Sequence, residues 1–104
     1  IGSIPTKVGQ CGLTTVTEVG YRLGQSLPDT GSVIKYSNGL LQVSYNNILG
    51  IEHSQKGDQV RLCLISIPEN CPLGDSRGKV YSATNLRTGE SWEAQDSAHS
   101  CGGA

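Results

Sequence analysis

The chain contains no phenylalanine and no methionine, and its only large aromatic side chains are Trp92 and four tyrosines, Tyr21, Tyr36, Tyr45 and Tyr81. That scarcity excludes an aromatic-rich interior and leaves Val, Ile and Leu, which are compact or stiff and suit strands. No run approaches the roughly 18 apolar residues of a membrane-spanning helix. A net charge of −1 provides no basic stripe for nucleic acid, although it permits a cationic protein partner. No C-x-x-C pair occurs among Cys11, Cys63, Cys71 and Cys101, and His53 and His99 are not spaced to complete a zinc knuckle, so no metal or other cofactor is expected. The segment Cys71-Pro72-Leu73-Gly74-Asp75 lacks the Gly-Lys-Ser/Thr of a phosphate loop, and no G-x-S-x-G elbow presents a nucleophile.

With 104 residues the chain supports one domain over 1–104. A domain of that size buries roughly two-thirds of the surface its unfolded chain exposes, so covalent cross-links would help it. Four cysteines permit three pairings. The favoured ones are Cys63–Cys71, pinning a step near Pro68 and Pro72, and Cys11–Cys101, tying the chain ends together. Two disulfides imply an oxidising compartment. The start at Ile1 rather than Met then fits a periplasmic or secreted protein whose signal peptide has been removed.

Along the chain, 1–10 reads as an extended arm. Thr14–Tyr21 alternates and is rich in Thr and Val, which predicts a strand, with a helix over Thr15–Leu23 as the competing reading. Ser32–Tyr36 predicts a short strand, and Asn38-Gly39 a two-residue hairpin turn. Leu41, Val43 and Tyr45 then share one strand face, opposite Gln42 and Ser44. Ile48–Glu52 reads as a further short strand. Gln59–Ile67 is the most apolar run and predicts a central strand buried on both sides, with Val60, Leu62 and Leu64 on one face and Cys63 and Ile65 on the other. Lys79–Asn85 and Glu90–Gln95 flank Arg87-Thr88-Gly89 as a hairpin, and the tail from Asp96 is irregular. Short strands, frequent turns and no helical period predict an all-β fold. The architecture expected is a small antiparallel β-barrel of about eight strands, or a sandwich, stapled by two disulfides.

Candidate chemistry is sparse. Asp96, Ser97, His99 and Ser100 are crowded in sequence, but a catalytic triad is a spatial arrangement, and Glu90 with Glu93 reads as a solvated strand face. No catalytic residue is assigned and no enzyme is expected. A binding module on a disulfide-stapled sheet fits better, and its loops are where contacts are expected. Two such modules are a glycan binder that uses Trp92 beside Tyr81 as a stacking platform, and an envelope-assembly protein with an exposed edge strand.

The segment Ser32-Val33-Ile34-Lys35-Tyr36-Ser37-Asn38-Gly39 resembles the S-G-x-R-Y-S-D-G signature of the membrane-bound and periplasmic inhibitors of c-type lysozyme, with Lys35 for Arg, Asn38 for Asp and Val33 for Gly. Lys56-Gly57-Asp58-Gln59-Val60 is similar to that family's K-G-D-E-A turn, and Cys11 and Cys101 lie where the family has cysteines near the ends of its domain. The second motif lies further along than in the typical member, so Tyr45–Gln55 holds an insertion, and Cys71–Ala104 has no counterpart in the short members. The chain thus resembles a divergent member. The resemblance implies an eight-stranded barrel that inserts a loop into the cleft of a c-type lysozyme and protects a Gram-negative cell wall. It also implies lysozyme contacts from Ser32, Lys35, Tyr36, Ser37, Asn38, Lys56, Gly57 and Asp58.

Overall fold

A computed structural model describes residues 4–24, 26–99 and 101. Six strands form a closed antiparallel barrel: β1 (Cys11–Tyr21), β2 (Ser32–Tyr36), β3 (Leu41–Ser44), β4 (Gln59–Ser66), β5 (Val80–Asn85) and β6 (Ser91–Gln95), in the spatial order β1-β2-β3-β6-β5-β4. Strand placements follow the sequence pattern closely, β2 and the β5–β6 hairpin included, and no helix forms over Thr15–Leu23. The expected two-residue turn at Asn38-Gly39 is instead a three-residue loop, Ser37-Asn38-Gly39, closed by the Gly39 amide on Tyr36 O (3.1 Å) and the Tyr36 amide on Leu40 O (2.9 Å), with a positive φ at Gly39 and not at Asn38. The count is six rather than about eight: Ile48–Glu52 forms no strand, and β1 is a single strand that serves two partners in succession. Its first part, Cys11–Thr15, pairs with β4, and Val16–Tyr21 pairs with β2, with an irregularity between Val16 and Glu18 where the partner changes.

The expected strand at Ile48–Glu52 is instead a one-turn helix, α1 (Leu49–Glu52). Local bonds from the Glu52 amide to Ile48 O (3.0 Å) and the His53 amide to Leu49 O (2.9 Å) satisfy this backbone without a strand neighbour. The helix carries Ile51 into the core, where it is fully buried. Complete burial of one such side chain stabilises by about 1.5–3 kcal/mol. Gly50 lies flat against Trp92, since a Cβ there would sit 2.5 Å from an indole ring carbon.

The interior follows strand alternation. Val60, Leu62 and Leu64 of β4 are buried beside Val16, Ile34, Tyr36, Tyr81, Ala83, Trp92 and Ala94. The expectation that β4 is buried on both sides is corrected: Cys63 is half-buried and Ile65 exposed, because the barrel has one interior and these two residues lie on its outer face. On β3 the alternation holds with the polar set inward. Gln42 is fully buried while Val43 lies outside, half-buried, and Tyr45 beyond it is exposed.

Gln42 is the polar hub of this interior. Its Oε1 accepts from the Tyr36 hydroxyl (2.6 Å) and from Trp92 Nε1 (3.0 Å), and its Nε2 donates to the carbonyls of Tyr81 (3.0 Å) and Ala94 (3.2 Å). A side-chain amide has two acceptor sites and two N–H groups, so it is fully used here.

Two disulfides are present, and their pairing corrects the expected one. Cys11 joins Cys63, and Cys71 joins Cys101. The first follows from strand register, since Cys11 lies directly opposite Cys63 in the β1–β4 ladder with their Cα atoms 4.0 Å apart. With sequence separations of 52 and 30, the chain-entropy picture assigns roughly 4 and 3.5 kcal/mol to the two links. The N-terminal arm is docked rather than merely extended. Ile4 packs on the core, Pro5 O accepts from the Tyr81 hydroxyl at 3.4 Å, and the Gly9 amide donates to Leu64 O at 2.9 Å. Residues 1–3 of that arm, and Ser100 and 102–104 of the tail, lie outside the described residues.

Candidate functional site

The first motif segment runs along β2 into the β2–β3 turn, and the second runs from the connection after α1 into the start of β4. Both nevertheless close onto the middle of β1. The Ser37 amide donates to Thr15 O (2.9 Å), the Gly57 amide to Val16 O (2.9 Å), and the Val16 amide to Asp58 O (2.9 Å). The cause is the change of partner along β1. Its Thr15 faces Gln59, the first residue of β4, and its Val16 faces Tyr36, the last residue of β2, so the turns adjoining those residues flank one point.

Around that point the motif residues separate into a supporting set and an outward set. Ser32 is fully buried and its Oγ accepts from the Ile48 amide at 2.9 Å, tying β2 to the entry of α1. Tyr36 points into the barrel toward Gln42, and burial pushes its hydroxyl pKa up. Asn38 shapes the turn, its Oδ1 accepting from the Leu40 amide at 3.0 Å, while its Nδ2 is buried with no partner among the described residues. Outward stand Lys35, Ser37, Lys56 and Gly57, all exposed. Lys35 lies 3.6 Å from Glu18 across the β1–β2 ladder. Exposed pairs of this kind are worth little, so Lys35 is free to exchange partners. Ser37 Oγ lies 3.4 Å from Thr14 Oγ1.

Asp58 anchors the second turn. Its carboxylate accepts from Arg87 Nε (2.7 Å) and Nη2 (3.1 Å), from Asn85 Nδ2 (2.9 Å) and from the Gln55 amide (2.8 Å). Asn85 Nδ2 also reaches Ser54 Oγ, and Arg87 Nη2 reaches His53 O, so the β5–β6 hairpin clamps the Lys56-Gly57 turn in place. Hydrogen bonds from Arg87 hold the Asp58 carboxyl well below the usual carboxylate range against the opposing effect of burial, with help from Asn85 and Gln55. Nothing in the local sequence marks Arg87 or Asn85 as partners of Asp58. Only the β4–β5 register, with Val60 opposite Asn85, brings them together.

This anchoring has a pH signature. A carboxyl whose folded pKa lies below its unfolded value of about 3.9 stabilises fully above that unfolded value and loses its contribution as pH falls toward the folded one. Asp58→Asn is expected to lower the melting temperature at neutral pH by roughly 5–10 °C. The gap to the parent protein should close progressively below about pH 5. Melting curves from pH 7 to pH 2 check this, and a gap that stays constant down to pH 2 would exclude the role given to Asp58.

The remaining candidates occupy structural places. Glu90 contacts His53 Nδ1 at 2.9 Å, Asp96 Oδ1 accepts from the Gly78 amide at 2.9 Å, and Ser97 Oγ accepts from the His99 amide at 3.1 Å. Trp92 and Tyr81 are both buried, so they do not form the surface platform considered for a glycan. No group of three or more His, Cys, Asp or Glu suited to a metal occurs among the described residues, and no helix there is long and apolar enough to cross a membrane. The chain matches no protein-family model, no curated protein and no solved structure.

Proposed function

We propose that this barrel is a proteinaceous inhibitor of c-type lysozyme, acting in the periplasm or outside the cell to protect peptidoglycan. The observation that carries the reading is the convergence of the two motif turns on Thr15–Val16, which puts Lys35 and Ser37 on one side of β1 and Lys56 and Gly57 on the other. A c-type lysozyme cleft holds two catalytic carboxylates, one kept ionised by its polar setting. Cations on the end of β2 (Lys35) and on the turn before β4 (Lys56) suit such a cleft, and a well-paired, dehydrated charge-assisted hydrogen bond contributes roughly 1.5–3 kcal/mol. Ser32, Tyr36, Asn38 and Asp58 serve this reading from within, by fixing the turns that carry the contacts. Occlusion of the cleft is sufficient and no covalent step is needed. The two disulfides agree with an oxidising compartment.

The test is lysis of a peptidoglycan suspension by hen c-type lysozyme with increasing amounts of this protein. Stoichiometric loss of lysis is expected. Ser37→Ala with Lys56→Ala, two exposed substitutions that leave the core untouched, should weaken inhibition at least tenfold. Full lysis at a large molar excess of the parent protein would overturn the reading. Unchanged potency in the double variant would remove the two turns from the contact.

A further inference from the structure

The weakest seam of the barrel lies away from the two turns. β3 and β6 share a single register pair, Val43 with Gln95, whereas β3 pairs with β2, and β6 with β5, along their lengths. Over this seam opens a groove of about 590 Å³, walled on one side by residues 43–46 and on the other by residues 93–95 and 97–99. It is comparable in size to small-molecule sites in general.

Four polar side chains in its walls, Asn46, Glu93, Gln95 and His99, make no hydrogen bond among the described residues, while Ser44 Oγ and Ser97 Oγ accept from the Asn46 and His99 amides. Beside them Tyr45 is 56% exposed, and the Arg22 guanidinium lies 4.2 Å from its ring centroid. A cation stacked on one face of an aromatic ring restrains the ring and leaves the opposite face available.

We propose that this groove binds a neutral saccharide, a site independent of the lysozyme reading. A sugar ring presents an apolar C–H face and a rim of hydroxyls that both donate and accept. Tyr45 supplies a braced aromatic surface for the first, and the two amides, the carboxylate and the imidazole supply both kinds of partner for the second. An apolar ligand would desolvate these four polar groups without pairing them, at a cost for each. An anionic ligand would meet the Glu93 carboxylate.

The experiment is amide chemical-shift mapping on the intact protein with chitotriose, cellotriose and maltotriose as probes, each taken to about 10 mM. That range covers the weak, millimolar affinities open sites give. At least one trisaccharide is expected to produce saturable shifts confined to residues 43–46 and 93–99. Tyr45→Ala should weaken that binding at least tenfold with an unchanged melting temperature, since the side chain lies outside the core. Glu93→Gln, which keeps the shape and removes the charge, should weaken it less. Absence of saturable shifts with all three sugars, shifts located elsewhere, or full binding by Tyr45→Ala would each overturn the proposal.

Discussion

Replacing Gln42 by leucine is expected to lower the unfolding free energy by about 3–6 kcal/mol, a large part of the total for a domain of this size. The substitution nearly conserves volume, so packing contributes little to the loss. The damage is polar. The Tyr36 hydroxyl and the Trp92 indole N–H lose their shared acceptor, and the carbonyls of Tyr81 and Ala94 lose a donor, all inside the barrel. Each buried donor left unsatisfied costs about 1–3 kcal/mol. Urea unfolding should show a lower midpoint with an unchanged slope. Tyr36→Phe introduced together with Gln42→Leu should cost less than the two separate losses added, because the phenylalanine removes one stranded donor. A loss below about 1 kcal/mol for Gln42→Leu would mean that water replaces the amide, and the hub would not hold the barrel together.

Gly31→Ala should be at least as damaging, with an expected loss above about 4 kcal/mol or a failure to fold. Two independent constraints meet at this residue. Its φ of 108° and ψ of 175° lie in a region open essentially to glycine alone. A Cβ there would also fall 2.0 Å from the Ser44 carbonyl oxygen, a backbone atom beside the Ser32–Ser44 pair of the β2–β3 ladder. Relief would require β3 to move away from β2 just where the Arg22 amide bonds Gly31 O at 3.0 Å and Ser32 Oγ receives the Ile48 amide. Gly24→Ala is the control that separates the two constraints. Its φ of 107° imposes backbone strain, but nothing lies within 4 Å of the added methyl, so its cost should stay within about 1–3 kcal/mol. Equal losses at the two positions would show that the contact with Ser44 contributes nothing.

Local pattern carried the strands well. The Thr- and Val-rich alternation of β1, the bounds of β2 and the Arg87-Thr88-Gly89 hairpin all follow from period-two patterning and turn chemistry, which operate within a few residues. The reading failed at Ile48–Glu52 for an equally physical reason. A short apolar run fits a strand or a helix, and here a strand would have lacked a neighbour, whereas a single helical turn satisfies its own amides and delivers Ile51 to the core. Expecting burial on both sides of Gln59–Ile67 failed because hydrophobicity alone does not reveal that a closed barrel has only one inside.

Of the candidate site, the sequence identified the two turns, and exposure kept Lys35, Ser37, Lys56 and Gly57 on the surface. It did not reveal that Ser32, Tyr36 and Asp58 face inward as supports, nor that Arg87 and Asn85 hold Asp58 and Gln42 holds Tyr36. These partners are 29, 27 and 6 residues away along the chain and meet only through strand register. A Gln in a strand reads as solvent-facing because burying an amide is costly, and only the convergence of two donors and two carbonyls inside the barrel reverses that balance.

By itself, then, the sequence determined an all-β, disulfide-stapled chain with its turns in place, since residue-scale preferences and an even set of four cysteines are local or compositional properties. The tertiary structure decided which cysteines pair, which face of each strand is inside, and that two distant motifs flank one point on β1. Those outcomes depend on how far each strand is offset against its neighbours when the barrel closes. That offset minimises a sum of contacts over the whole sheet, so no single segment encodes it.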